Sequence, residues 1–198
     1  MINSKTDALL RLTTPEVQDI FFEWFSILSE RYSSLDNQKV NGRAWRAELK
    51  RAEAPYGVML CEGYNALTRR VAEKMTLSEV DKMALSLFVS VAVHIKRDNA
   101  DRSFAAQLGE KRNGSTSCVS SLRFERMLKA RQPDDFCRLL IQAVRIRDKE
   151  GCNIIWLADS LFIWMKEWAD REANLPESSN PFERSNVRWV NEYLSTSR

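Results

Sequence analysis

His94 is the one histidine of the chain, and it stands in the apolar stretch Val93-His94-Ile95. Any Ser–His or Cys–His nucleophile would have to use it, and a metal site built on two histidines is excluded. The arginine–histidine spacing of HEPN-type helical ribonucleases would need Arg at 87, 88 or 89, where Leu87, Phe88 and Val89 stand. His94 therefore reads as a buried or cap-adjacent histidine. Neither a GxGxxG loop nor a Walker-type phosphate loop occurs. The carboxylate pair Asp134-Asp135 follows Pro133 at a helix start, where capping and the helix dipole account for it. Cys61, Cys118, Cys137 and Cys152 are widely spaced without a CxxC pair, and read as reduced thiols rather than staples or metal ligands. No catalytic residue, metal or cofactor is expected, and the chain reads as a non-enzyme.

The basic residues are patterned. Arg43, Arg46 and Lys50 recur at helical spacing and share one face, with Arg51 beside them. Arg123, Arg126 and Lys129 form a second ridge that ends at Arg131. Arg138, Gln142, Arg145 and Lys149 form a third stripe, opposite the apolar Phe136, Leu139, Leu140 and Ala143. Arginine outnumbers lysine in these rows, and its planar fork suits phosphate oxygens better than an ammonium does. The formal charge of +3 conceals an asymmetry: residues 43–131 hold 17 basic and 10 acidic residues, while the segments on either side are each at −2. The positive field is thus concentrated in the middle of the chain. A solvated helix face would explain any one stripe; the coincidence of the stripes with the basic segment and with Lys111 and Arg112 favours a surface for a polyanion. Trp24, Phe88, Phe124, Phe162 and Trp164 lie on apolar faces and read as core. Backbone binding without base readout follows.

Helices must carry these rows. Six Gly and five Pro in 198 residues interrupt little, and six Trp and nine Phe supply a heavy apolar load. Thr14-Pro15-Glu16 opens a first helix with Thr as its cap and Phe21, Phe25 and Leu28 on its inner face. Residues 33–41 read as a loop. Helices are expected over about 42–53 and 64–75. Thr76-Leu77-Ser78-Glu79 has capping-box spacing and starts a long apolar helix to Ile95. Shorter or later helices are expected over 103–108, 120–130, from Pro133 to near Gly151, from Asn153, and over 181–194. No strand is expected. The segment Gly109–Cys118 reads as a flexible, mildly basic linker. The resulting fold class is all-α: two small helical bundles, over 1–109 and 119–198, joined by a linker at 110–118. Lys5, Asp7 and Arg11 argue against a secretory signal, and the apolar run from Met83 to Ile95 is too short to span a bilayer, so a cytoplasmic location is expected.

Three segments carry a resemblance to a known family: Ser103–Gly109, the block VSSLRFERMLKARQPDDFCRLLIQAVR over Val119–Arg145, and NIIWLADSLFIW over Asn153–Trp164. The basic segment Arg43–Glu53 is similar to an early helix of the same family. Over about residues 42–195 the chain resembles the CasB-type small subunit of the type I-E CRISPR Cascade complex, a part of an antiviral defence system. The resemblance implies two helical domains and a non-catalytic subunit that pairs with a second copy of itself. It implies as partners other Cascade subunits, the crRNA, and the target and non-target DNA strands of the R-loop, with no membrane. Carried over residue by residue, the family's DNA- and RNA-binding contacts fall best on Lys50, Arg51 and Arg123, then on Arg102, Lys111, Arg126, Lys129, Arg138 and Arg145, with Arg46 on the same early helix. Glu125 interrupts the second ridge, and Asp98 and Asp101 dilute the loop before Ser103. The alternatives are a dimeric all-helical transcription regulator, which the acidic and apolar N-terminal region opposes, and a helical protein–protein adaptor.

Overall fold

The computed structural model describes residues 9–112 and 116–197. Lys5 and Asp7, and positions 113–115 of the expected linker, lie outside them. Among the described residues the chain forms nine α-helices and two very short antiparallel hairpins, so the fold is all-α in class.

Helix α1 (Pro15–Ile27) starts at Thr14 with Pro15 in its first turn, although the Thr14 side chain makes no capping bond. Strands β1 (Ser33–Leu35) and β2 (Gln38–Val40) follow, correcting the loop expected there. The two turn residues, Asp36 and Asn37, have φ of 50° and 64°. Left-handed backbone at both central positions is the geometry of a tight hairpin turn, and Asp and Asn adopt it more readily than other non-glycine residues. Helix α2 (Gly42–Arg51) is capped by the Asn41 side chain, which accepts from Ala44 N–H. A Cβ at Gly42 would lie 1.8 Å from the Ile27 carbonyl oxygen, so only glycine lets α2 begin against the end of α1.

Helices α3 (Glu62–Ala72) and α4 (Glu79–Ala92) complete the first half of the core. The capping box of α4 is built two residues later than expected, from Ser78 and Asp81 rather than Thr76 and Glu79. Beyond α4 come α5 (Phe104–Gly109), strands β3 (Lys111–Arg112) and β4 (Thr116–Ser117), α6 (Ser121–Leu128), α7 (Pro133–Arg147), α8 (Ile154–Glu172) and α9 (Ser185–Ser197). The described part of the 109–118 segment is therefore paired: Lys111 faces Ser117, Arg112 faces Thr116, and Cys118 N–H donates to the Glu110 carbonyl at 2.7 Å.

Burial explains the arrangement. Helix α4 is buried almost throughout and packs against α7 and α8, while α5 packs against α9. Close approach of the latter pair needs Gly109, where a Cβ would meet the Tyr193 carbonyl oxygen at 2.3 Å. Phe21 meets Phe88 edge-on at 5.0 Å, Phe136 stacks on Trp164 at 4.2 Å, and Phe124 stacks on Tyr193 at 4.0 Å. Each such aromatic contributes about 1.5–3 kcal/mol by leaving water. All five aromatics assigned to the core are buried. Buried Asp159 of α8 accepts the backbone N–H groups of Leu10, Arg11 and Leu12 at 2.6–3.2 Å, which ties the segment before α1 to the core. With α4 held between α2, α7 and α8, the ends of these helices are fixed against one another.

Candidate nucleic-acid interface

On α2 the amphipathic pattern buries Trp45 and Leu49 and leaves the basic face outward. Lys50 and Arg51 are exposed, and Arg51 has no acid partner among the described residues. Arg43 donates from Nε to the Ser29 carbonyl. Arg46 lies half-buried, its guanidinium 5.7 Å from the centroid of the Phe25 ring. Its Nε and Nη2 have no hydrogen-bond partner among the described residues. Burial lowers the pKa of Arg46 because the charged form loses solvation.

The fold adds groups from two other helices to this face. His94 and Lys96 follow the end of α4, and Arg145 projects from the last turns of α7. Arg145 Nη2 sits 3.3 Å from His94 Nδ1. Burial, and then repulsion from Arg46, Arg145 and Lys96, lowers the pKa of Lys50. Burial, followed by Arg145, Lys50 and Arg46, pushes His94 down to about 4. No carboxylate contributes to either shift. Lys96 is neutralised locally by Asp148 at 2.5 Å, and this contact holds Asp148 below the usual carboxylate range. Arg46, Lys50, His94 and Arg145 thus form a basic cluster drawn from three separate stretches of chain, with no acid paired to it among the described residues. An open groove of about 410 Å³ runs from Arg145 along α7, past Gln142 and Arg138, to Asp134 and Asp135. Arg138 is spent within that groove, paired to Asp135 at 3.0 Å.

The other expected residues fall elsewhere. Arg123 and Arg126 project into solvent from α6, whose Phe124 and Met127 are buried, and have no acid partner among the described residues. Lys129 of the same ridge reaches Glu125 at 3.8 Å, an exposed pair that contributes little. Lys111 is exposed in the β3–β4 hairpin, while Arg102 lies 3.5 Å from Glu110. None of these five residues is brought to the α2–α4–α7 cluster by any observed contact.

Two residues escaped the sequence reading. His94, read from sequence as buried or cap-adjacent, does stand directly after the Val93 cap of α4; its contact with Arg145 at the edge of the basic cluster is what the sequence did not show. Arg147 is 1% exposed and bonds the Gly151 and Gln107 carbonyls and the Glu110 carboxylate, with Glu150 3.7 Å away. The signal for Arg147 was present, because it continues the buried Phe136, Leu140 and Ala143 face of α7 at helical spacing. All four cysteines are unpaired and buried; burial pushes the Cys137 and Cys152 thiols up to about 12. Among the described residues no group of three His, Cys, Asp or Glu is placed to hold a metal ion. No described helix is long and apolar enough to cross a membrane.

Fold and surface together define an all-helical protein with an uncompensated basic face. Residues 45–193 match the family model of CRISPR-associated protein Cse2, and the chain belongs to that family. The resemblance to the small subunit of the type I-E Cascade complex rests on nearly the same stretch of sequence. No curated protein and no solved structure matches the chain.

Proposed function

We propose that this chain is a non-catalytic, cytoplasmic subunit that holds nucleic-acid backbone within a crRNA-guided Cascade complex. The observation that carries the reading is the convergence of Arg46, Lys50 and Arg145 with no carboxylate paired to them among the described residues. Like charges repel when brought together, so such a cluster is stabilised when an anion completes it. Arg51 extends it along α2, and the exposed Arg123 and Arg126 offer a second row. The buried aromatics leave no stacking platform for bases in these rows, which favours contacts to phosphate alone.

Exchange of a DNA duplex for an RNA–DNA heteroduplex is nearly balanced in free energy, so contacts to the separated strands can tip it. Rows of arginine along the path of the target and displaced strands would stabilise the R-loop without reading sequence. A second copy of the chain would lengthen that path. The two halves, 1–109 and 119–198, would act as one support for it, joined through 110–118. Binding of mixed-sequence DNA as a function of salt tests the reading. Three neutralised duplex phosphates should weaken affinity about 40-fold between about 50 and 200 mM salt. A salt-independent affinity, or one confined to a short palindrome, defeats it.

A further inference from the structure

His94 sits among the cations of the interface without sharing their charge. We propose that His94 is a positioning residue: its ring accepts a hydrogen bond from Arg145 and holds that guanidinium on the basic face. The inference rests on the backbone-binding reading of the α2–α4–α7 cluster.

The chemistry of the pair decides the tautomer. A guanidinium has only donors, so a contact of 3.3 Å between Arg145 Nη2 and His94 Nδ1 requires a lone pair on Nδ1 and the ring proton on Nε2. A charged ring would turn acceptor into donor and set two cations against each other. The surroundings keep the ring neutral. Arg46 and Lys50 face it from α2 and Arg145 from α7, Lys96 follows on its own stretch, and burial acts in the same direction. Asp148, which follows α7, is engaged by Lys96. The imidazole thus serves as an uncharged acceptor among cations, a task that a lysine or arginine at this position could not perform.

The benefit is pre-organisation. Arg145 is exposed and has no acid partner among the described residues, so its long side chain would otherwise sample many rotamers. One accepted hydrogen bond narrows that choice before a phosphate arrives, and leaves the remaining N–H groups free for it.

The test compares affinities for a fluorescein-labelled single-stranded DNA of mixed sequence. Relative to the unmodified protein, His94→Leu should bind about threefold to tenfold more weakly. His94→Asn should bind nearly normally, because its amide oxygen takes the place of Nδ1. In the Arg145→Gln background His94→Leu should have no further effect. Full-strength binding by His94→Leu, or effects of the two substitutions that simply add, overturns the proposal. If Arg145→Gln binds normally while Lys50→Glu does not, the His94 inference falls and the interface stands; if both bind normally, the interface reading itself falls. Should His94→Leu fail to fold, nitrogen NMR of the unmodified protein decides, since the chain has one histidine. At about pH 6, where an ordinary histidine is largely charged, the ring should be neutral with Nδ1 unprotonated. An Nδ1–H tautomer or a charged ring overturns the proposal.

Discussion

Around Arg147 the arginines are matched to acids: Arg147 and Arg102 reach Glu110, Arg112 reaches Glu150, and Lys96 reaches Asp148 close by. Of Arg46, Lys50 and Arg145, on α2 and α7, none has one among the described residues. Both regions are rich in arginine, and in sequence they interleave, since Arg145 and Arg147 are two residues apart on α7. One has its charge satisfied inside the fold and ties α5, the β3–β4 hairpin and the α7–α8 junction together. The other has no acid paired to it among the described residues, and its Lys50 and Arg145 are exposed. The number of basic residues in a segment is therefore a poor guide to binding; the position of the carboxylates separates structural arginines from available ones.

This contrast breaks most readily at Arg147. Replacement by Met would leave the Gly151 and Gln107 carbonyls and the Glu110 carboxylate without their buried donor. Loss of one partner of a buried pair costs about 3–5 kcal/mol, which for a chain of this size lowers Tm by about 10 °C. A melting temperature within about 2 °C of the unmodified protein would place Arg147 with the available arginines.

Charge reversal on the open side should do the opposite, weakening binding and sparing the fold. Lys50→Glu with Arg145→Glu should lower affinity for DNA at least tenfold and reduce the magnitude of the log–log salt slope by about 1.4 to 1.8, with Tm nearly unchanged. Arg123→Glu with Arg126→Glu should reduce the slope similarly and the affinity less, because Glu125 already weakens the field of that ridge. In the assembled complex, both pairs should impair opening of target DNA more than retention of guide RNA. Normal opening by both folded variants would return these residues to solvated helix faces.

A smaller effect sharpens the comparison through pH. The folded ring of His94 resists protonation down to about 4, whereas in the unfolded chain it titrates near 6.5. Between these values the unfolded state binds more protons, so the stability from this group is present above about pH 6.5 and lost as pH falls toward about 4. After allowance for solvent screening, the loss should be about 1 kcal/mol. Urea titrations of the unmodified protein and of His94→Asn across this window measure it as a difference. Equal pH dependence in the two would mean that His94 is not held neutral by its neighbours.

The least disruptive test concerns the division at 110–118. Trypsin should cut first after the exposed Lys111 of β3, and inside α4 last, because α4 is buried almost throughout. Whether the nicked halves separate on gel filtration or stay together decides if they are two bundles or one body. Early cleavage within Glu79–Ala92 would refute the division.

The sequence was legible where a signal was local. Helical spacing of apolar residues located the helices of both halves, and Pro15, Pro133 and Asn153 marked starts that the fold keeps. The hairpin over residues 33–40 was missed because its strands are three residues long and its turn lacks glycine, leaving neither alternation nor the usual turn residue to read. The cap of α4 lies at Ser78 rather than Thr76: two capping patterns overlap there, and the one that forms uses Asp81, which also pairs with Arg11.

For function, the chain by itself determined which residues could meet a phosphate, since periodicity places Arg46 with Lys50, Arg123 with Arg126, and Arg138 with Arg145, and the arginine–lysine balance is fixed by composition. What only the tertiary structure decided is which of these cations remain available and which assemble. Arg138 pairs with Asp135 through neighbouring turns of one helix, yet Arg145, two turns further along, meets His94 across the molecule and its charge is felt by Lys50. Coulomb interactions act over a few ångströms of space and take no account of separation along the chain, so partnership between charges far apart in sequence exists only once α2, α4 and α7 are packed.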